Sequence, residues 1–344
     1  IGPLGLIAER DTRVSLLSSK RTDELVSEIL EDAGWDTDDL DLEEGQTTVT
    51  KYFSASGSAL KALREVEDTE SGFIYEKHDG KIKFENRSFR MTNDRSRTSQ
   101  LTFSDASDTV YAYEAIVQED PLPSIFNVFE ATVVTYSTAS IATLWTLSET
   151  GSSSPSLASG TANTYYAQFP PMVDGILASE IAGQVTVNEW TTPVANTDYT
   201  VNAAADGTGT NLTSSVAISV SKSSNQMKIE LTNNSATDGF ITLLKARGTT
   251  LTTSDPTLVI AEDATSQTSF LKRTYRSRSK WLPTSAEAQN WVDYSLSIFK
   301  DPLPRLALSF TANKSGAELF AALDLDISDR VTVTATSNNT KLGI

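Results

Sequence analysis

Apolar and polar positions along the chain follow two rhythms. Early on, apolar residues recur at helical spacing. Leu25, Val26, Ile29 and Leu30 predict a helix over Asp23–Ala33, because positions three and four apart share one helix face. Thr22 is the expected N-cap, Asp23 and Glu24 place acids in the first turn, and Gly34 closes the last. A second stripe, Leu60, Leu63 and Val66 with the small Ala59 and Ala62, predicts a helix over about Gly57–Thr69, capped by Ser56 and ended by Gly72. An acidic loop, Asp36–Glu44, lies between them. Then the rhythm shortens to two. Phe73–Glu76 and Ile82–Glu85 flank Asp79-Gly80, a dipeptide that takes the positive φ angles of a tight hairpin turn.

Residues 109–136 read as strands broken by Asp120-Pro121-Leu122-Pro123. Beyond them, between Ala131 and Gln226, only seven residues are charged, and Lys222 is the one base. Short alternating runs (Val185 and Val187; Val216, Ile218 and Val220; Ile229 and Leu231) are separated there by turn clusters such as Ala205-Asp206-Gly207 and Asn233-Asn234-Ser235. That spacing of short strands predicts an inserted β-sandwich over about residues 137–255. Charge then returns. Lys272–Lys280 reads as a strand. Glu287–Phe299 reads as a helix capped by Ser285 and buried along Trp291, Val292, Ser295, Ile298 and Phe299. Arg305–Phe310 reads as a strand. Asp-Pro-Leu-Pro occurs a second time at Asp301–Pro304, again ahead of an apolar strand, as a duplicated unit would produce. The expected class is mainly β with a minor α+β part.

Composition narrows the chemistry. A chain of 344 residues has room for two or three domains at roughly 100–200 residues each. No apolar run approaches the roughly 20 residues of a membrane helix, and Ile1–Ala8 lacks the basic flank and cleavage site of a signal peptide. The chain opens on Ile1 rather than Met and stops at Ile344 within a strand-like stretch, so further polypeptide at either end is expected. Without cysteine there are no disulfides, thiolate metal sites or cysteine nucleophiles. With His78 as the only histidine, a multi-histidine zinc site is excluded and a triad has one possible base. A net charge of −17 opposes binding to nucleic-acid phosphates.

The remaining motifs offer little catalysis. His78 sits beside the hairpin turn, where a dry pocket able to tune a base is not expected. The acids Asp36, Asp38, Asp39, Asp41, Glu43 and Glu44 invite a calcium reading, but counted from Asp36 the glycine position of an EF-hand loop is Asp41; a solvated loop or a polar subunit contact fits better. Asp206–Asn211 could wrap a cation and reads more simply as an interstrand loop. Trp145, Tyr165, Tyr166 and Trp190 could stack on sugars or fill a core. Glycosidase carboxylates, which meet only in the fold, leave no trace in spacing, and no nucleotide-binding glycine motif is present. No cofactor or metal is expected, and the chain reads as a non-enzyme. On the predicted strand, Lys272, Arg276, Arg278 and Lys280 share one face, with Arg273, Tyr275 and Trp281 on the other. These four are candidate interface residues for an acidic patch on a neighbouring subunit; the competing reading is a solvated edge strand whose charges block aggregation.

Three stretches resemble the tail-hub and tail-tip proteins of long-tailed bacteriophages. The first is Thr22–Trp35, a helix ending in Ala33-Gly34-Trp35. The second is Ser58–Glu67 leading into Gly72–Tyr75 and Asp79–Glu85. The third is Leu323–Val333 with its Asp329-Arg330-Val331. Tyr111–Thr135, with Asn127-Val128, is similar to the strand pair that follows the hairpin in that family. The Ser/Thr-rich middle departs from compact hubs, though Leu244–Thr249 resembles decorated ones. The resemblance implies tail-tube-like β-barrel domains around a helix–helix–hairpin module: residues 1–21 a partial barrel strand or linker, 22–104 the module, 105–136 the first barrel strands, 137–255 the insertion and 256–344 a returning barrel segment with one helix. It implies a homotrimeric ring in the virion tail tip, made in the host cytoplasm. That ring joins the tail tube or distal tail protein to other tail-tip proteins around the tape-measure protein and DNA channel, without specific nucleic-acid binding. The insertion would add weak host-surface or glycan contact. The alternative is a β-sandwich adhesin or carbohydrate-binding protein.

Overall fold

A computed structural model describes residues 2–54, 57–106, 111–119, 121–148, 151–169, 172–173, 176–177, 184–223, 225–277, 279, 281–303 and 305–335. It opens with a short helix that the periodicity did not predict, α1 (Pro3–Ala8), where Pro3 supplies a preset φ at the first turn. Strand β1 (Leu17–Arg21) runs straight into helix α2 (Thr22–Asp32). The cap differs from the expected one by a residue. The Arg21 N–H donates to the Glu24 carboxylate at 2.8 Å, so Thr22 lies inside the helix and its hydroxyl is free to donate to Glu70. Strands β2 (Leu40–Leu42) and β3 (Thr48–Tyr52) follow, then helix α3 (Ala59–Glu70), capped at Ser58 rather than Ser56 and ended by Ser71 in the left-handed conformation. Ser56 lies outside the described residues.

The hairpin β4 (Phe73–Glu76) and β5 (Ile82–Glu85) forms over the predicted residues. Its turn differs in detail. The Gly80 amide donates to the Lys77 carbonyl, the Lys77 amide to the Lys81 carbonyl, and Gly80 has φ +85° where no positive φ is found at Asp79. The loop is therefore three residues closed by a left-handed glycine, the second commonest hairpin solution. Strand β2 adds to β5 in parallel. Ile7, Leu25, Val26, Ile29, Leu30, Leu63, Val66, Ile82 and Phe84 make one fully buried cluster, which Trp281 joins from far along the chain. Two single-turn helices, α4 (Phe89–Thr92) and α5 (Asp94–Arg97), complete this part.

Strands β6 (Leu101–Ser104), β7 (Ala115–Glu119) and β8 (Val128–Val133) come next. After β8 the chain builds β9 (Tyr136–Thr138), β10 (Ala142–Thr146), β11 (Ser156–Leu157), β12 (Ala162–Gln168), β13 (Met172–Val173), β14 (Ile176–Leu177), β15 (Gln184–Trp190), β16 (Tyr199–Asn202), β17 (Val216–Lys222), β18 (Gln226–Asn233) and β19 (Gly239–Thr253). The fifteen-residue β19 pairs with β9, β10, β11, β15 and β16. A second sheet runs β12-β18-β17. The two share a core of Leu157, Val201, Met227, Ile229, Leu231, Ile241 and Leu244.

Strand β20 (Thr257–Glu262) returns antiparallel to β8, helix α6 (Ala264–Phe270) follows, and β21 (Thr274–Arg276) lies parallel on the other side of β8. Helix α7 (Ser285–Phe299) covers one face of this three-stranded sheet. Trp291 and Val292 bury against Phe129, Ala131 and Val259, while Phe299 stays 36% exposed. The Thr284 hydroxyl caps it by accepting the Glu287 amide, so the cap is one residue earlier than Ser285. Strand β22 (Arg305–Ser309), helix α8 (Gly316–Asp324) and strand β23 (Val331–Thr334) end the described chain. Strand β22 pairs antiparallel with β7, and β23 parallel with β6. The molecule is mostly β, with its strands in several sheets, and among the described residues none of these closes on itself.

Candidate functional site

Helix α3 ends in acidic residues that bind segments distant in sequence. The Asp68 carboxylate accepts the Tyr275 hydroxyl at 3.0 Å, the Ser277 hydroxyl at 2.7 Å and the Ser279 amide at 3.0 Å. Its backbone carbonyl accepts the Trp291 indole N–H at 2.7 Å. One turn earlier, the Glu65 carboxylate accepts the Trp281 indole at 3.1 Å. The Trp281 ring then packs 4.8 Å from Tyr52 and 5.3 Å from Phe53. These contacts hold α7 and its leading segment against the N-terminal helices. Glu70, fully buried on the same helix, accepts the Thr22 hydroxyl, the amides of Gln46 and Thr47 and the Arg87 guanidinium at 2.8, 3.2, 2.9 and 3.2 Å.

The second seam joins the hairpin to Asp324–Arg330. Tyr75 donates to the buried Glu85 carboxylate at 2.7 Å, and so does Ser328. Arg95 holds both Asp329 at 2.5 Å and Asp324 at 3.1 Å. His78 lies 3.2 Å from Asp326. Burial and the hydrogen bond to Glu85 push the Tyr75 phenol well up. At Asp329 burial alone would raise the carboxyl, but the hydrogen bonds from Arg95 and the Asp326 amide outweigh it and the group sits below the usual carboxylate range. A cleft of about 310 Å³ lies along this seam. Its wall residues Lys77 and Lys83 both bind Asp41, at 2.9 and 2.8 Å, and Lys83 also binds Glu43. The carboxylates of Asp41, Glu43, Asp324 and Asp329 are thus matched by Lys or Arg, and that of Asp326 lies against His78. The seam can hold two parts of the chain together.

The candidate residues fare unevenly. The predicted strand Lys272–Lys280 shrinks to Thr274–Arg276, because from Ser277 onward the chain turns aside to bond Asp68. Lys272 is exposed ahead of the strand. Arg276 is on the strand at one side of its sheet and donates to Glu130 of the adjacent β8 at 2.7 Å. Arg278 and Lys280 lie outside the described residues. Lys272 and Arg276 therefore do not share one strand. The acidic loop spends Asp36 on capping the Asp38 amide, and no group of three or more metal-binding side chains occurs among the described residues. The Asp206 carboxylate accepts the Thr208 amide and hydroxyl within its own loop. Trp190 is buried, Trp145 and Tyr165 pack on the same core, and Tyr166 is 55% exposed.

Spacing placed strands over β7 and β22, but it missed their pairing and the unit they make with β6, α8 and β23. The unit consists of two two-stranded ribbons, joined at a bridge between Ser104 and Ala112. None of the three hydrophobic clusters draws a residue from it. Phe103 is its main buried aromatic, packed 5.0 Å from Phe310. Meanwhile Val117, Leu319, Phe320 and Leu323 are 58%, 48%, 69% and 63% exposed. The α8 start was nonetheless legible: the Ser315 hydroxyl accepts the Glu318 amide, a Ser-x-x-Glu start signal. No protein-family model matches this chain, and no curated protein does either.

Proposed function

We propose that the chain is a structural component of a phage-type tail, a hub or tip subunit that assembles with copies of itself and with neighbouring tail proteins. The observation that carries this reading is the ribbon unit. A two-stranded ribbon is marginal in water unless something covers it, and a helix displaying Leu319, Phe320 and Leu323 to solvent gains by burying them at roughly 25 cal/mol per Å². Such a unit is completed by a neighbour. Three well-packed cores beside it supply the body that a ring subunit requires, and the second seam holds that body to the open ribbons. The resemblance of Thr22–Trp35, Ser58–Glu85 and Leu323–Val333 to tail hubs adds order and register to the same reading. Tube-like barrels would then arise between copies, since no sheet among the described residues closes on itself.

Mass measurement in solution and negative-stain imaging test this. The expected result is a closed oligomer around a central channel, lost in the double variant Phe320→Asp/Leu323→Asp while the fold is kept. A chain that stays monomeric at every concentration and never forms rings, alone or with tail proteins, refutes it. The adhesin reading has Tyr166 as its one exposed ring among the four aromatics first considered; glycan-array binding lost in Tyr166→Ala would favour it.

A further inference from the structure

The ribbon unit shares in none of the three apolar cores, and polar groups tie it to the hairpin through residues 324–330. Within that turn Ser328 has φ +73°, a left-handed conformation that is costly for a residue with a Cβ. Side-chain bonds keep it there. Its hydroxyl donates to Glu85 at 2.7 Å and accepts from Arg90 at 2.8 Å, and the Tyr75 hydroxyl reaches the Ile327 carbonyl at 3.2 Å. A strained turn held by polar contacts is a place where one added charge shifts the balance between held and released.

Charge along this cleft is uneven. Beside His78 it is lined by five carboxylates, those of Asp41, Glu43, Asp324, Asp326 and Asp329, against the three permanent cations Lys77, Lys83 and Arg95. Lys77 and Lys83 are taken up by Asp41 and Glu43, and Arg95 by Asp324 and Asp329. Asp79, next to His78 in the turn, lies 3.7 Å from Lys77. Tyr75 is a phenol that burial and its hydrogen bond to Glu85 keep neutral. Asp326 is left. Its Oδ1 accepts the Ile327 amide at 2.8 Å and its Oδ2 faces His78 Nδ1 at 3.2 Å. Among the described residues no Lys or Arg reaches it, although its side chain is only 18% exposed.

We propose that His78 and Asp326 form a proton-operated clasp between the hairpin and the ribbon unit, closed in mild acid and loosened above neutrality. Imidazole is the side chain whose ordinary titration falls between about pH 5 and 8, and His78 is the only histidine in the chain. Carboxylates are ordinarily charged across that window. With its proton, His78 supplies a cation to an acid that otherwise has none. Without it, the cleft keeps two more negative charges than positive ones, five against three. Protonation therefore stabilises the tied state, so the hold is full at the acid end of the imidazole range and weakens as pH rises through it. Because His78 is 57% exposed, the effect is that of a surface pair, about twofold to fivefold in the opening equilibrium. The clasp acts within one chain and does not depend on ring assembly.

Hydrogen exchange of the full chain at about pH 5.5 and about pH 8, either side of the imidazole midpoint and corrected for the intrinsic effect of pH on exchange, tests it. Residues 324–334 should open about twofold to fivefold less often at the lower pH, while residues 25–30 of α2 show no difference. Asp326→Asn and His78→Asn should each remove the difference. His78→Lys, charged at both pH values, should hold the segment at its acid rate throughout. Sedimentation at both pH values follows the mass of the particle alongside. Equal corrected exchange at the two pH values overturns the proposal, as does a pH difference that survives His78→Asn. So does a His78→Lys chain that behaves like His78→Asn, because charge would then not be what closes the clasp. A difference found only where the particle changes mass overturns it too, since assembly would then be its cause.

Discussion

Replacing Glu70 with glutamine keeps the side chain's size and removes its charge and one acceptor oxygen. In the native chain Oε2 accepts from the Thr22 hydroxyl and the Gln46 and Thr47 amides, and Oε1 from the Arg87 amide and guanidinium. Whichever oxygen the amide retains, its NH₂ is turned toward at least two donors that the carboxylate satisfies in the native chain. A buried donor left unsatisfied costs about 1–3 kcal/mol, and breaking a buried charged pair by removing one partner costs about 3–5 kcal/mol. Both routes give a loss of about 3–5 kcal/mol. At a urea slope of about 2 kcal/mol per molar, the unfolding midpoint falls by roughly 2 M. Urea titration followed by hydrogen exchange at Gln46–Tyr52 measures the size and place of the effect. A midpoint shift below about 0.5 M at that slope would refute the view that this carboxylate is a structural anchor.

Asp68→Ala should cost about 2–4 kcal/mol, because three donors lose a partly buried acceptor; hydrogen exchange at residues 274–282 should quicken first, and unchanged exchange there refutes the seam. Gly72→Ala should be severely destabilising, since its new Cβ would fall inside contact distance of the Glu85 carbonyl. Gly80→Ala, at φ +85° with open space around it, should cost only about 1 kcal/mol, and thermal melts of the pair check the order. Asp41, Asp198 and Asp329 all sit below the ordinary carboxyl value of 3.8. At each, burial works upward but is outweighed by hydrogen bonds from Lys83 and Lys77, from Arg247, and from Arg95 respectively. The unfolded chain therefore binds more protons than the folded one, so their contribution is full above about pH 4 and is lost as pH falls further. Circular dichroism against pH should be flat from neutrality to about pH 5, and unfolding that began above that range would count against these pairs.

Local signals were read well where local chemistry decides. The hairpin ends fall on Phe73, Glu76, Ile82 and Glu85 as alternation required, and both long helices sit over their apolar stripes. The caps slipped by a residue or two, because neighbouring positions compete for each start: Thr284 beside Ser285, Ser58 beyond Ser56, and Arg21, whose amide the Glu24 carboxylate accepts, ahead of Thr22. The strand through Lys272–Lys280 failed for a non-local reason. Alternation continues past Arg276, but Ser277 and Ser279 are drawn off by Asp68, more than 200 positions earlier, as the separations of 209 and 211 show. The same distance hid the acids of α3. Their helical spacing said only that they lay off the apolar stripe. That Arg276 would spend its charge on Glu130 was equally illegible, since strand neighbours 146 residues apart leave no periodic mark.

The long strand β19 has a consequence for how the chain comes to be folded at all. Five other strands hydrogen-bond to it, and all of them precede it. During synthesis β9, β10, β11, β15 and β16 therefore emerge with no partner to zip onto, and wait until residue 253 has cleared the ribosome. Sheets dominated by such distant pairings form slowly and expose sticky intermediates. The scarcity of charge between Ala131 and Gln226 leaves this nascent stretch little electrostatic protection. A chaperone-dependent yield that recovers when the strand's arrival is hastened, as in a circular permutant beginning at Gly239, is what this order of emergence entails.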